Sequence, residues 1–100
     1  MTSLTGKQSR HLRALAHELE PVVLVGKEGA SEGVITAVDQ ALSDHELVKV
    51  RLPDLPREER EAMAAQLAEG ASASLAGTIG RIAILYRRHP STPKINLPRG

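Results

Sequence analysis

The run Val22-Val23-Leu24-Val25-Gly26-Lys27-Glu28-Gly29-Ala30-Ser31-Glu32-Gly33-Val34 places the tightest limit on what this chain can fold into. Four apolar residues in a row read as a strand, the glycines as a tight loop, and the segment from Ser31 as the opening of a helix. Glycine at 26 and 29 lets the backbone take positive φ, and lets another molecule approach with no Cβ in the way. The new helix aims free N–H groups outward, which favours an anion such as a phosphate. The alternative is a glycine-rich turn that only reverses the chain.

Ahead of that run, Thr5-Gly6-Lys7-Gln8 has the form of a capping box, with Thr5 at the N-cap and Gln8 at N3. Leu12, Leu15, Ala16 and Leu19 then recur at i, i+3, i+4 and i+7, an amphipathic helix ending near Glu20-Pro21. The all-apolar run from Val22 to Val25 predicts a buried inner strand. On the second helix, Val34, Ile35, Val38, Ala41 and Leu42 share one side. Glu46 to Leu52 follows as a strand, with Val48, Val50 and Leu52 on one face and Lys49 and Arg51 on the other. Pro53-Asp54-Leu55-Pro56 breaks it and starts a third helix, whose stripe is Met63, Ala64, Leu67 and Ala68, with Gly70 as C′ residue.

Ala71 to Ala76 reads as a strand, Gly77-Thr78-Ile79-Gly80 as a turn, and Arg81 to Arg87 as the last strand. Residues 88–100 carry three prolines and no periodicity, and read as a surface tail. The order α-β-α-β-α-β-β implies parallel pairing through right-handed crossovers, then an antiparallel hairpin. The expected architecture is α/β: one domain over residues 1–98, a mixed four-stranded sheet with helices packed on it.

Composition narrows the function. The chain of 100 residues has no Cys, so it forms no disulfide or thiolate metal site, in keeping with a reducing compartment. It shows no signal-like apolar segment and no membrane-length apolar run, so a cytoplasmic protein is expected. Phe and Trp are absent and Tyr86 is the only aromatic residue, which argues against base stacking of the RRM or OB-fold kind. The net charge is +1, so electrostatic arguments rest on where the charges lie.

Enzymatic constellations fail. His11 and His17 are not at metal-binding helical spacing, and His45 and His89 are distant in sequence. Ser43-Asp44-His45 has the residue types of a triad, but neighbours in a turn do not present nucleophile, base and orienting group to one substrate. Glu58, Glu59 and Glu61 complement the dipole of the third helix. The loop matches neither of the nucleotide-binding glycine patterns, G-x-x-x-x-G-K-[ST] or G-x-G-x-x-G. No cofactor, metal, membrane or small-molecule substrate is expected.

The basic residues offer a different chemistry. Lys7, Arg10, Arg13 and His17 cluster opposite Leu12, Leu15 and Leu19, as a solvated face or as a stripe tracking phosphates. Lys27 rides in the Gly26–Gly29 loop, a G-x-x-G form like the loop that clamps nucleotides in KH domains. Glu28 and Glu32, in and beside that loop, partly cancel its charge. Arg81, Arg87 and Arg88 flank the last strand with Lys94 beyond, and the planar fork of arginine suits phosphate. Lys49 and Arg51 point outward from the second strand, as solvent-side charges or as members of a patch.

These segments together resemble the CRM domain family, named for chloroplast RNA splicing and ribosome maturation, in its bacterial single-domain, YhbY-like form. The resemblance is carried by Leu4-Thr5-Gly6-Lys7-Gln8 with Leu12-Arg13 and Leu15-Ala16-His17, then Pro21 through Gly26 to Gly33-Val34. It continues through His45 to Val50, Ile79-Gly80-Arg81, Ile84 to Arg87, and Lys94-Ile95-Asn96-Leu97-Pro98. It implies a fold like the C-terminal domain of translation initiation factor 3. It also implies a non-enzymatic RNA-binding module acting on ribosomal RNA in large-subunit precursors; a monomer is expected. The RNA-binding residues then expected are Lys7, Arg10, Arg13, Gly26, Lys27, Gly29, Arg81, Arg87, Arg88 and Lys94. The competing class is a protein-interaction module docking on a ribosomal protein or assembly factor.

Overall fold

The computed structural model describes residues 4–100; the first three residues of the expected domain lie outside them. The elements are α1 (Gly6–Ala16), β1 (Pro21–Leu24), α2 (Glu32–Asp44), β2 (Leu47–Arg51), α3 (Arg57–Gly70), β3 (Ser74–Ile79) and β4 (Ile82–Tyr86). The α-β-α-β-α-β-β order is as expected, and the four strands form one mixed sheet in the order β1-β2-β4-β3. β1 pairs parallel with β2 through the α2 crossover, and β4 pairs antiparallel with both β2 and β3. The α3 crossover therefore carries β3 one place beyond β2, and β4 returns into the gap. Ala83, Ile84, Leu85 and Tyr86 are all buried, so the apolar β4 takes the centre, where both faces are covered.

Alternation along the strands makes two cores. On one face Val23, Val48, Val50, Ala83 and Leu85 meet Val38 and Leu42 of α2 and Ala64, Leu67 and Ala68 of α3. On the other, Leu47, Ala76, Ile84 and Tyr86 meet Leu12 and Ala16 of α1, with Ile95 and Leu97 packed beside them. Local chemistry fixes the helix starts. The Thr5–Gln8 capping box closes at 3.1 Å in both directions. The Ser31 hydroxyl accepts from the Val34 N–H at 3.3 Å.

Five expectations need correction. β1 is an edge strand, not an inner one: Val22 and Leu24 are exposed, and the ladder slips between Pro21 and Val23 so that Val22 is an extra residue. α1 ends at Ala16, and Leu15 and Leu19 are exposed because the helix stops before its stripe is spent. Gly70 is the last residue of α3 rather than its C′ residue, and the positive φ falls at Ser72 (52°). What Gly70 supplies is close helix packing, since a Cβ there would lie 2.7 Å from Ile35 Cδ1. β3 begins at Ser74 and runs through Ile79. The turn is the two-residue Gly80-Arg81 connection, with Gly80 at φ 57°, the first central position that such hairpins give to glycine.

Residues 88–98 fold back over the α1 face. Gln8 Nε2 donates to Pro98 O at 3.0 Å. Glu46, 8% exposed, accepts backbone N–H groups from His89 (3.0 Å), Ile95 (2.9 Å) and Lys94. Burial by itself would push the Glu46 carboxyl up, but these three donors, with His89 nearby, hold it below its ordinary value of 4.5. A carboxyl so depressed contributes stability that is whole above 4.5 and fades as pH falls through the folded-state value. Glu46→Gln is expected to cost about 1–3 kcal/mol near neutral pH, the cost of weakening hydrogen bonds to a charged acceptor. In thermal melts from pH 7 down to acid, the parent's advantage over Glu46→Gln should shrink below pH 4.5. An advantage that stays constant would show that the carboxylate does not hold this segment.

Candidate nucleic-acid interface

The glycine loop sits where β1 leaves the sheet. The Val25 N–H donates to Arg51 O at 2.8 Å, the last tie to β2, and the Gly29 N–H donates to Gly26 O at 3.0 Å to close a turn with Lys27 and Glu28 at its exposed tip. Gly29 holds φ at 74°, a conformation that L side chains rarely adopt. Gly26 does not need positive φ, contrary to expectation; its lack of a Cβ makes room for Glu28, whose Oε2 would lie 2.6 Å from such an atom. The loop thus folds its own carboxylate over Gly26. At Ser31 the chain enters α2, whose first amides, on Glu32 and Gly33, have no intrahelical acceptor. A Cβ at Gly33 would meet nothing within 4 Å, so this first turn is open to an approaching group.

The sheet register shows which cations share that end of the molecule. Arg51 closes β2 opposite Leu24 and Ile82, so the glycine loop and the Gly80-Arg81 hairpin project from the same edge. Arg81 is half spent on structure, its Nε donating to Leu52 O at 3.1 Å. At the opposite end, where Leu47, Tyr86 and Ser74 are paired, lie Arg87 and Arg88. Arg87 staples the scaffold: Nη1 donates to Asp39 Oδ1 (2.6 Å) and Ala71 O (2.7 Å), and Nη2 to Asp39 O (3.0 Å) and Ser43 Oγ (3.1 Å). Arg88 is exposed beside a cavity of about 510 Å³ under the returning segment, lined also by Tyr86 and Asn96. Tyr86 is buried, and burial together with the Glu46 charge pushes its hydroxyl pKa up. It offers no open ring for a base.

On α1, Lys7, Arg10 and His17 are exposed, but Arg13 does not join them on the far side. Its Nη1 donates to Ala76 O at 2.8 Å, and its stem lies over Gly77, where a Cβ would fall 2.7 Å from Arg13 Cδ. Three residues along a helix is a rotation of about 60° from Ala16, so Arg13 stands on the flank of the buried stripe. There it caps the carbonyl that the β3 irregularity at Ala76 frees from the ladder. Gly26, Lys27, Gly29 and Arg81 therefore come together at the loop end, while Arg87, Arg88 and Lys94 lie toward the other. Sequence reasoning left Arg51 open, and the structure sets it exposed beside the loop; the alternation of β2 pointed it outward but could not say which strand would be its neighbour. Among the described residues no group of three or more His, Cys, Asp or Glu is placed to hold a metal ion.

Comparisons with known proteins bear on the family and the fold. The family model for the CRS1/YhbY (CRM) domain matches residues 4–87. An RNA-binding protein of Haemophilus influenzae is 40% identical over 99 residues, covering 99% of each chain. YqeI of Bacillus subtilis is 38% identical over 95 residues, covering 95% of this chain and 99% of that one. The solution structure of SAV1595 from Staphylococcus aureus superposes with a TM-score of 0.86 at 36% identity, covering 95% of this chain and 99% of that one. Matched by the family model over residues 4–87, and by relatives and a solved structure over nearly its whole length, the chain belongs to the CRS1/YhbY (CRM) domain family.

Proposed function

We propose that this protein binds ribosomal RNA in precursors of the large subunit, as a non-enzymatic cytoplasmic assembly protein. The glycine loop and the first turn of α2 hold phosphates in this reading. One observation carries it: Gly29 at φ 74° turns the backbone into an open helix N-terminus at the same edge as Lys27, Arg51 and Arg81. Backbone amides and cations converging on one edge suit a phosphate chain, and such contacts fix register without reading sequence. The Haemophilus influenzae relative, named an RNA-binding protein, supports the same chemistry. The restriction to large-subunit precursors rests on the family resemblance, and crosslinking in cells followed by sequencing of the attached RNA tests it.

Gly29→Asp is expected to abolish RNA binding by putting a carboxylate into the turn beside the amides that would hold a phosphate, although Gly29 is buried and its missing Cβ faces Met63. Asp tolerates positive φ better than most residues, and the methyl of Met63 that its Cβ would meet at 3.2 Å is the far end of a flexible side chain. The positive φ alone costs about 1–3 kcal/mol, and a carboxylate against Met63 adds to it, so the variant's fold is checked before its affinity is read. Lys27→Ala should weaken binding equally across RNA sequences and reduce the log–log salt slope by about 0.7–0.9. Affinity at two salt concentrations, beside thermal melts, reads both. If Gly29→Asp melts close to the parent and binds RNA equally well, the loop is only a turn and protein docking becomes the better reading.

Glu28 gives the opposite sign. Its carboxylate lies over Gly26 at the place a phosphate would approach, so Glu28→Gln is expected to tighten RNA binding severalfold at low salt. The gain should shrink as salt rises and screens the repulsion. Unchanged affinity in the same titration would place the phosphate path elsewhere.

A further inference from the structure

One row of the sheet is left uncovered. Leu24 pairs with Arg51, Arg51 with Ile82 and Ile82 with Ile79, so these four residues stand side by side across all four strands. All four point to the α1 side. Arg51 alternates with Val50, Leu24 with Val23, and Ile82 with Ala83, and each of those three packs in the other core. Ile82 itself packs against the α1-side cluster. One row down, Ile84 is fully buried and Gly77 is overlaid by the Arg13 stem, so the cover begins there. In the end row only Ile82 is half-buried: Leu24 is 71% exposed and Ile79 59%, and Arg51 is exposed.

Four strands about 4.8 Å apart make this row about 14 Å wide. It is apolar, with one guanidinium in its midst and no carboxylate. Lys49 lies on the same face one row down, and neither Lys49 nor Arg51 enters an ion pair among the described residues. We infer that this row is a platform for the unpaired bases of single-stranded RNA. The inference rests on the RNA-binding reading and adds its second half, the bases as well as the phosphates.

Charge complementarity selects the occupant. The row's one charge is the Arg51 guanidinium, with Lys49 one row down and Arg57 and Arg60 outnumbering Glu61 around Ile79. Such a surface suits a polyanion that also presents flat apolar faces, which an unpaired RNA strand does and a duplex does not. A guanidinium plane stacks on bases as aromatic rings do, so Arg51 takes the part that aromatic residues play in other sheet-face RNA binders. Position points the same way: Leu24 stands two residues before Gly26, so the row lies at the strand end from which the glycine loop leaves, within reach of a strand held there by phosphates.

The test uses the whole protein with two labelled probes, an oligouridine and a blunt RNA duplex of equal length, at several salt concentrations. The double variant Leu24→Ser/Ile79→Ser changes only exposed side chains, and thermal melts confirm its fold. It should bind oligouridine about tenfold more weakly, a loss equal to one stacking contact, with an unchanged salt slope because no charge is removed. Its duplex affinity should not change. Arg51→Lys should weaken oligouridine binding severalfold while keeping the slope, whereas Arg51→Ala should also reduce the slope by about 0.7.

Oligouridine binding equal to the parent's, or equal losses for both probes, would overturn the platform. A parent that sediments as a dimer, with a double variant that is monomeric and binds oligouridine normally, would overturn it in favour of contact between copies. If Gly29→Asp abolishes binding while the double variant leaves it intact, only the platform falls. If the parent binds neither probe, the RNA-binding reading falls with it.

Discussion

The covering of β4 governs this structure. An apolar strand at the centre of a four-stranded sheet must be shielded on both faces, because each side carries residues that gain only by leaving water. Two helices of 13 and 14 residues shield one face. The other has only α1, whose 11 residues span about 16 Å. One short helix cannot close a sheet face, so residues 88–98 fold back to finish the end near Tyr86 and the end near the loops stays open. The two most exposed apolar strand residues, Leu24 and Ile79, lie at that unroofed end for this reason.

The arginines show how a nearly neutral chain can still present a basic edge. Arg13, Arg81 and Arg87 each donate to a main-chain carbonyl that the secondary structure leaves unpaired: Ala76 at the β3 irregularity, Leu52 beyond β2, and Ala71 after α3. Arg87 also answers Asp39. Those charges serve the scaffold first. Arg51 and Lys27, exposed at one edge, remain for a ligand, so the useful charge is a matter of placement rather than of the sum.

Much of the fold was legible in the sequence because local rules decide it. The Thr5–Gln8 box, the strand–loop–helix run and the alternation of β2 each read correctly, being set by neighbours within a few residues. Strand order was not legible. The apolar run of β1 suits an inner strand as well as an edge one, and only the insertion of β4 beside β2 decides between them. Gly70 failed for a related reason: its purpose is the approach of Ile35, which no local signal records. At the candidate site, Gly29 was readable as a positive-φ position, while the exposure of Arg51 depended on pairing across the sheet. Glu46 was missed altogether, since its partners lie more than 40 residues away.

The hydrogen bond between Gln8 and Pro98 joins residues 90 positions apart, and it has a consequence for how the protein is made. Leu12 and Ala16 of α1 leave the ribosome before α2, β2 and α3, yet their packing partners Ala76, Ile84, Tyr86, Ile95 and Leu97 emerge only after α3. α2, β2 and α3 can assemble while translation continues, but α1 must wait with its apolar side unprotected. α1 is thus made ahead of the elements it packs on and seated after them, which leaves it in need of shelter on a nascent chain.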